Sequence, residues 1–241
     1  MKIAGSGTIL RPVTNPLKNN YLVRGAWGVI VTATVAGCGK PHVQQPAPTA
    51  PLPTAGIAAQ QVSVLPLTLL AAEDSLQWAA LLGERRAGLA RADSVIGTLL
   101  QARSPEVTWV LPDEVRRAAR RAPGIAPDPD RMGTAILLRG EKVEVVPDPL
   151  RSELRTLAAL AGSGGGRYAL IPAGLVFRRS GGQADRRSAG SVEHTGTAEL
   201  TVVMVDVRTG RIGFRTVARG EGDDPWTALT RAMKSLTPGL P

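Results

Sequence analysis

One cysteine divides this chain into a short front part and a longer remainder. The front part is too short and too polar to build a core, whereas the remainder is long enough to form one. Cys38 is the only cysteine among 241 residues, and it follows an uncharged apolar run at 25–37. Thirteen helical residues span about 20 Å, less than the roughly 30 Å hydrocarbon layer of a membrane. Basic residues without any acid precede the run, so we predict a secretory signal peptide over 1–37.

The residues that end at the cysteine, Val35-Ala36-Gly37-Cys38, resemble the lipobox of bacterial lipoprotein signal peptides. The resemblance implies that the Cys38 thiol receives a diacylglyceryl group, that cleavage occurs before Cys38, and that the new amino terminus is acylated. It also implies a cell-envelope location, with the periplasmic face of the outer membrane favoured because Gly39 stands where Asp would favour inner-membrane retention. The alternative interpretation is that Cys38 is a small apolar residue of a buried helix.

The segment 38–56 is predicted to be a linker between the acylated cysteine and a folded domain. It is made of Ala, Gln, Thr and repeated proline, and such a composition buries too little apolar surface to fold. An extended spacer suits a protein that is held at a membrane by lipid. The alternative is a proline-rich ligand for a partner. The prolines of the segment are Pro41, Pro46, Pro48, Pro51 and Pro53.

The remainder, 57–241, is predicted to form one α/β or α+β domain with a mixed sheet of about five strands and helices packed against it. The stretch 198–207 is apolar at nearly every position, which indicates a central strand, and 211–220 alternates like a half-exposed strand. Helices are expected over 74–101, as one or two segments, and after Pro112. Three further helix starts are indicated by Asp-Pro pairs, at 128–129, 148–149 and 224–225.

The stretches "VSVLPL", "GRYALIPAGLV" and "LTVVMVDVRTGRIGFRT", followed by a terminal helix, resemble a pattern of small periplasmic α/β domains. The pattern is similar to that of the curli-secretion lipoprotein and of the amino-terminal domain of the Tol translocation protein. This resemblance implies a domain that assembles with partners in the periplasm, and it assigns no catalytic residue.

No catalytic, metal or cofactor site is indicated by the sequence. The two histidines, His42 and His194, are isolated, so neither a zinc site nor a Cys–His pair is expected. The run "GSGGGR" at 162–167 lacks the ending of a phosphate-binding loop. Asp206 is expected to form a turn and Asp224 to cap a helix, although a hydrolase with an unrecognised site at Asp206 or Glu199 is an alternative.

Arginines near the middle of the chain form the candidate binding site. The run "RRAARR" places Arg116, Arg117, Arg120 and Arg121 opposite an alanine stripe on a predicted helix. One interpretation is a solvated face that complements the helix dipole; the other is a patch that binds an anionic headgroup, a wall polymer or an acidic partner. Nucleic-acid binding is not expected, because four units of the formal +9 charge lie in the signal segment.

Together these observations predict a membrane-anchored lipoprotein of the cell envelope that binds a partner without catalysis. The membrane contact is through lipid on Cys38, and the partner is an envelope protein or the cell wall. A regulator of cell-wall synthesis and an envelope hydrolase are the alternatives.

Overall fold

The centre of the molecule is a mixed β-sheet of six strands. The computed structural model describes residues 48–138, 143–161, 166–180 and 195–237, so Cys38 and the signal segment lie outside the described residues. The α/β architecture expected from the sequence is confirmed, with six strands instead of about five. The strands are β1 Gln61–Val64, β2 Leu70–Ala72, β3 Thr108–Val110, β4 Tyr168–Arg179, β5 Gly196–Asp206 and β6 Ile212–Gly222.

Three long antiparallel strands form one half of the sheet and short parallel strands form the other. The order is β3-β1-β4-β5-β6, and β2 pairs with β4 further along the same edge that β1 uses. The pairs β1–β3, β1–β4 and β2–β4 are parallel, whereas β4–β5 and β5–β6 are antiparallel. The β-rich stretch 62–67 is a strand only as far as Val64, where β1 ends, and β2 begins at Leu70, beyond Pro66. A proline nitrogen cannot donate to a ladder, which accounts for a break at this point.

Helices cover both faces of the sheet, and this explains the continuous apolar run of β5. Val202 and Met204 point into a cluster with the helices at 85–103 and 225–236, whereas Val203 and Val205 point into a second cluster with the helices at 112–121 and 150–160. A strand that is buried on both faces has no polar side to alternate with. The helices are α1 Ala79–Leu82, α2 Arg85–Arg103, α3 Pro112–Arg121, α4 Leu150–Leu160 and α5 Pro225–Leu236. Among the described residues, no helix is both long and apolar enough to cross a membrane.

The Asp-Pro pairs begin three different structures. Asp224 caps α5 as predicted, since its carboxylate accepts hydrogen bonds from the backbone N–H groups of Trp226 and Thr227. Asp128 accepts from the Asp130 N–H, but the helix that follows is a single 3₁₀ turn, Pro129–Arg131. At the second pair the peptide bond is cis and α4 begins only at Leu150. The three Asp-Pro pairs therefore precede one α-helix with a side-chain cap, one capped 3₁₀ turn and one α-helix without a side-chain cap hydrogen bond.

The predicted helix over 74–101 is interrupted in two places. A 3₁₀ turn at Asp74–Leu76 is followed by the four residues of α1, and Gly83 then adopts a positive φ of 66° before α2 begins. Glycine adopts this conformation without the steric cost that a Cβ would bring. The break separates α1, which has no buried residue, from α2, which contributes several residues to the core.

Residues 48–56, expected to belong to the linker, contact the folded domain. Leu52 is buried, and its N–H donates to the carbonyl of Leu236 at 2.8 Å. The N–H of Ala50 donates to the hydroxyl of Thr216 on β6, the edge strand. These contacts with the domain therefore begin at Ala50, seven residues before the boundary expected at 57.

Two glycines allow α5 to lie directly on β6. A Cβ on Gly220 would collide with the backbone of Ala228 and Ala232, and one on Gly222 would meet Ala228 at 2.6 Å. Backbone atoms of a packed helix cannot move away individually, so a side chain at either position would push the whole helix off the sheet.

We expect Gly220→Ala to lower the free energy of unfolding by about 1–3 kcal/mol, the usual cost of overpacking a dense interior. The matched control is Gly213→Ala in the same strand, because a Cβ at Gly213 meets no atom within 4 Å. Urea unfolding followed by circular dichroism measures both variants. Equal stabilities of the two variants would show that α5 does not depend on this close approach.

Candidate functional site

Helix α3 presents the arginines that the sequence singled out. Its inner side is formed by Pro112, Val115 and Ala118, which are buried, and Asp113 and Glu114 lie in its first turn. Arg120 and Arg121 lie in its last turn, where positive charge complements the helix dipole. The arrangement fixes one side of the helix in the core and leaves the arginines on the other.

Arg116 is the centre of an ion-pair network. Its Nη2 donates to Asp93 Oδ2 at 2.6 Å and to Asp130 Oδ1 at 2.7 Å, and its Nη1 donates to Asp113 Oδ1 at 3.0 Å. Its Nε donates to both carboxylate oxygens of Asp130, at 2.9 and 3.1 Å. A guanidinium group that is held by three carboxylates in this way connects α2, α3 and the 128–131 turn, so Arg116 has a structural role.

Asp93 is the buried end of this network. Its side chain is 5% exposed, and its Oδ1 accepts a hydrogen bond from the Leu67 N–H at 2.8 Å. Desolvation raises the pKa of Asp93 to about 6, which outweighs the hydrogen bonds from Leu67 and Arg116 that lower it. Desolvation also lowers the pKa of Arg116, but the hydrogen bonds and charges of Asp130 and Asp93 outweigh it and leave that pKa raised. Asp93 is therefore ionised at neutral pH and takes up a proton near pH 6.

A cleft of about 720 Å³ lies between the start of α2 and α3. Arg116 and Arg120 line it from α3, and Arg85 and Arg86 line it from α2. Arg85 donates to the carbonyl of Thr68 at 2.9 Å, whereas Arg86 and Arg120 make no hydrogen bond or ion pair within the described part of the chain. The acidic residues that line the cleft are Glu84, Asp128 and Asp130. The cleft thus combines a fixed ion-pair network at its base with unpaired guanidinium groups at its rim.

The structure separates the four predicted arginines into two pairs. Arg116 and Arg120, one helical turn apart, line the cleft, while Arg117 and Arg121 do not. Arg117, Arg120 and Arg121 are exposed, and Arg117 donates to its own helix at the Asp113 carbonyl. All four belong to α3, but only Arg116 is committed to acidic partners.

Asp93 was not identified from the sequence. The stripe that predicted α2 runs through Ala92 and Ile96, and Asp93 lies beside it on the buried side. A lone acid at a buried helical position is itself a signal, since a buried carboxylate needs a cationic partner. The sequence could have indicated that a partner exists, but not that Arg116 provides it.

The two carboxylates considered for a hydrolase are both committed elsewhere. Asp206 accepts from the N–H groups of Arg208 and Thr209 and pairs with Arg167 at 2.8 Å, which confirms its turn role. Burial raises its pKa, but these hydrogen bonds outweigh burial and lower the pKa of Asp206 overall. Glu199 pairs with Arg178 and Arg219. Neither residue lines the cleft beside α3.

Metal binding has no candidate among the described residues, which contain no cluster of three or more His, Cys, Asp or Glu side chains suited to an ion. Cys38, His42 and His194 lie outside the described residues.

Comparisons with known proteins give similarities of low score. No family model and no curated protein matches the chain. Among solved structures, the LpoB C-terminal domain from Salmonella enterica is 16% identical, with a TM-score of 0.36 over 68% of this chain and 83% of that one. A PelC dodecamer from Paraburkholderia phytofirmans is 11% identical, with a TM-score of 0.33 over 80% and 96%. E. coli LpoB is 15% identical, with a TM-score of 0.32 over 92% and 96%. The similarity to the curli and Tol domains is not supported, and at these scores we base no functional argument on LpoB or PelC.

We expect Asp93→Asn to change how stability depends on pH. The folded-state pKa of Asp93 lies above the value of 3.8 in an unfolded chain, so its stabilising contribution is complete below pH 4 and is lost as the pH rises through 6. Relative to the Asn variant, the wild type should therefore lose on the order of 3 kcal/mol between pH 4 and 7.

Urea unfolding of the purified proteins across this pH range measures the difference. Asp113→Asn is the control, since that carboxylate binds the same arginine but is 86% exposed. A constant difference between wild type and Asp93→Asn from pH 4 to 7 would contradict the raised pKa.

Proposed function

We propose that this chain is a lipid-anchored protein of the bacterial cell envelope whose α/β domain binds a protein partner and performs no catalysis. The anchor is the acylated Cys38 and the favoured location is the periplasmic face of the outer membrane. No cofactor belongs to the proposal. If the partner is a wall synthase, the proposed role is that of a regulator of cell-wall synthesis.

The observation that carries partner binding is the contrast between Arg116 and its neighbours on α3. Three carboxylates hold Arg116, and this network fixes the position of the helix. Arg120 and Arg121 are exposed and make no ion pair within the described residues. Guanidinium groups bind carboxylates through paired hydrogen bonds, and arginine contributes strongly to protein interfaces. A fixed helix that displays free arginines suits an acidic partner surface.

Chain length limits where such a partner can be. The described fold begins at Pro48, ten residue steps after Cys38. Fully extended, these steps span at most about 36 Å. A domain anchored at Cys38 therefore stays near the membrane surface, and a partner must come within that distance.

The absence of catalysis is proposed because the clustered charged groups have structural roles. Asp93, Arg116 and Asp130 hold α2, α3 and the 128–131 turn together, so none of them is left to transfer a proton or attack a substrate.

We expect Cys38→Ser to remove the lipid and release the protein from membranes. In cells fed an alkyne fatty acid, the wild-type protein should be labelled and should sediment with membranes, since several acyl chains give stable anchoring. The Ser variant keeps the polarity of the site but lacks the thiol that is acylated. An unlabelled wild-type protein in the cytosol would disprove the lipoprotein proposal.

We expect Arg120→Glu with Arg121→Glu to reduce capture of the partner at least tenfold, because attraction to an acidic surface becomes repulsion. The measurement is affinity capture from envelopes after crosslinking in cells, with quantitative identification of the recovered proteins. Recovery of a wall synthase would select the regulatory form of the proposal.

The control is Arg231→Glu with Lys234→Glu on α5. These two substitutions change the net charge by the same amount as those on α3. Lys234 also lies in the last turn of its helix, but α5 packs on the opposite face of the sheet. Equal losses in both double variants would indicate a general charge effect, and no loss in either would rule out the α3 surface.

A further inference from the structure

Strand β2 has one edge that is not hydrogen-bonded by the described chain. Its other edge pairs in parallel with β4: the Leu175 N–H donates to the Leu69 carbonyl and the Glu73 N–H donates to the Phe177 carbonyl, both at 2.9 Å. Parallel ladders use alternate residues, so Ala71 completes this ladder. The N–H and C=O groups of Leu70 and Ala72 point the other way, and no described residue bonds to them.

A groove of about 350 Å³ runs beside this free edge. Its far wall is formed by the segment after β2, including Trp78 and Leu82. Trp78 is 3% exposed and packs edge-to-face against Phe177 with ring centroids 5.4 Å apart, so this wall is fixed by the core. The groove therefore places the free backbone groups near Leu82, a half-buried apolar side chain on a segment that the buried Trp78 holds against the core.

The edge of the sheet at β6, unlike the free edge of β2, is covered. On β6, the Thr49 hydroxyl donates to the Val217 carbonyl and accepts from the Arg219 N–H, so the protein's own chain covers that edge. Proteins commonly cover or shorten edge strands to prevent uncontrolled pairing. β2 is only three residues long, which limits open-ended aggregation but leaves room for one short segment.

The two ends of the groove carry opposite charges. Arg85 lies at the end where β2 begins, and it already donates to the Thr68 carbonyl. Asp74 follows the other end of β2, and its exposed carboxylate has no hydrogen-bond partner in the described ranges. A segment with an apolar residue at its centre and a Lys or Arg at the Asp74 end complements this arrangement.

We propose that the β2 groove binds an extended segment of the protein partner, which adds a strand to the free edge of β2. Backbone hydrogen bonds to Leu70 and Ala72 provide affinity, and the Trp78–Leu82 wall and Asp74 select the side chains. The inference rests on the proposed function only in that the domain binds a protein. It uses a surface other than α3, and the two surfaces are neighbours because Arg85 lines both the β2 groove and the cleft beside α3.

Hydrogen exchange of the free protein tests the edge directly. The amides of Leu70 and Ala72 should exchange fast, whereas the Ala71 amide between them is protected by β4. Protection of all three amides in the free protein would mean that the edge is already covered, and the proposal would fall. Self-association through β2, seen as a concentration-dependent dimer with the same protection, would also overturn it.

Peptide selection tests the occupant. The full-length protein, in detergent, is used to select binders from a phage-displayed library of random linear peptides, and the selected peptides are then synthesised. We expect sequences with a central apolar residue and a basic residue toward one end. On binding they should protect the Leu70 and Ala72 amides. An absence of binders, or protection that maps elsewhere, would refute strand addition here.

The deciding variant is Ala72→Pro, which removes one outward N–H while leaving the β4 ladder intact, as proline is tolerated on edge strands. We expect peptide affinity to fall about tenfold, and Ala72→Ser, which keeps the N–H, to bind like wild type. Asp74→Lys should lower the affinity for the basic peptides by a similar factor. This variant provides the test if Ala72→Pro does not fold. Unchanged affinity in Asp74→Lys, or in a folded Ala72→Pro, would overturn the proposal.

These outcomes are independent of the envelope capture experiment. If the Arg120/Arg121 double variant loses its partner while peptides fail to bind β2, partner binding stands and only the β2 site is lost. If the Arg120/Arg121 double variant captures no less partner than the wild type does, while the peptides bind as expected, the β2 groove is a binding site and the α3 surface is not.

Discussion

The ion pair between Asp93 and Arg116 is the interaction on which this side of the molecule depends. It connects α2 with α3, while the second carboxylate oxygen of Asp93 holds the backbone after β1 through Leu67. Removing only one partner of a buried pair leaves an uncompensated charge, which is far more costly than never having the pair. The position of α3 and the shape of the cleft beside it therefore depend on this carboxylate together with the buried Val115 and Ala118.

The sheet and its helices determine which surfaces are left for binding. Both faces of β5 are buried, and α5 lies so close to β6 that glycine is required at Gly220. The described N-terminal segment then covers the β6 edge through Thr49. Among the surfaces that stay open in the described residues are the arginine side of α3 and the free edge of β2. The proposed function places partner recognition on these surfaces and, through the proposed lipid on Cys38, near a membrane.

Much of the architecture could be predicted because local patterns and burial agree. The apolar run of 198–207 indicated a central strand, and the Asp224-Pro225 pair indicated a capped helix. Predictions were less accurate where a distant contact decides the local structure. β1 ends at Val64, before Pro66, and β2 begins only at Leu70 and pairs with β4 in a register of its own. Leu52 joins the fold because its N–H donates to the carbonyl of Leu236 in α5.

The sequence by itself determined the segments: a signal-like run ending at Cys38, a proline-rich stretch, and strands and helices whose periodicity is local. It also brought four arginines together on one helix, since neighbours in a helix are neighbours in sequence. Only the tertiary structure decided their roles. Asp93 is 23 residues away from Arg116, and their contact exists because α2 and α3 meet. Likewise, the free edge of β2 follows from the order of strands in the sheet. Pairings between distant segments are set by packing, and no local pattern encodes them.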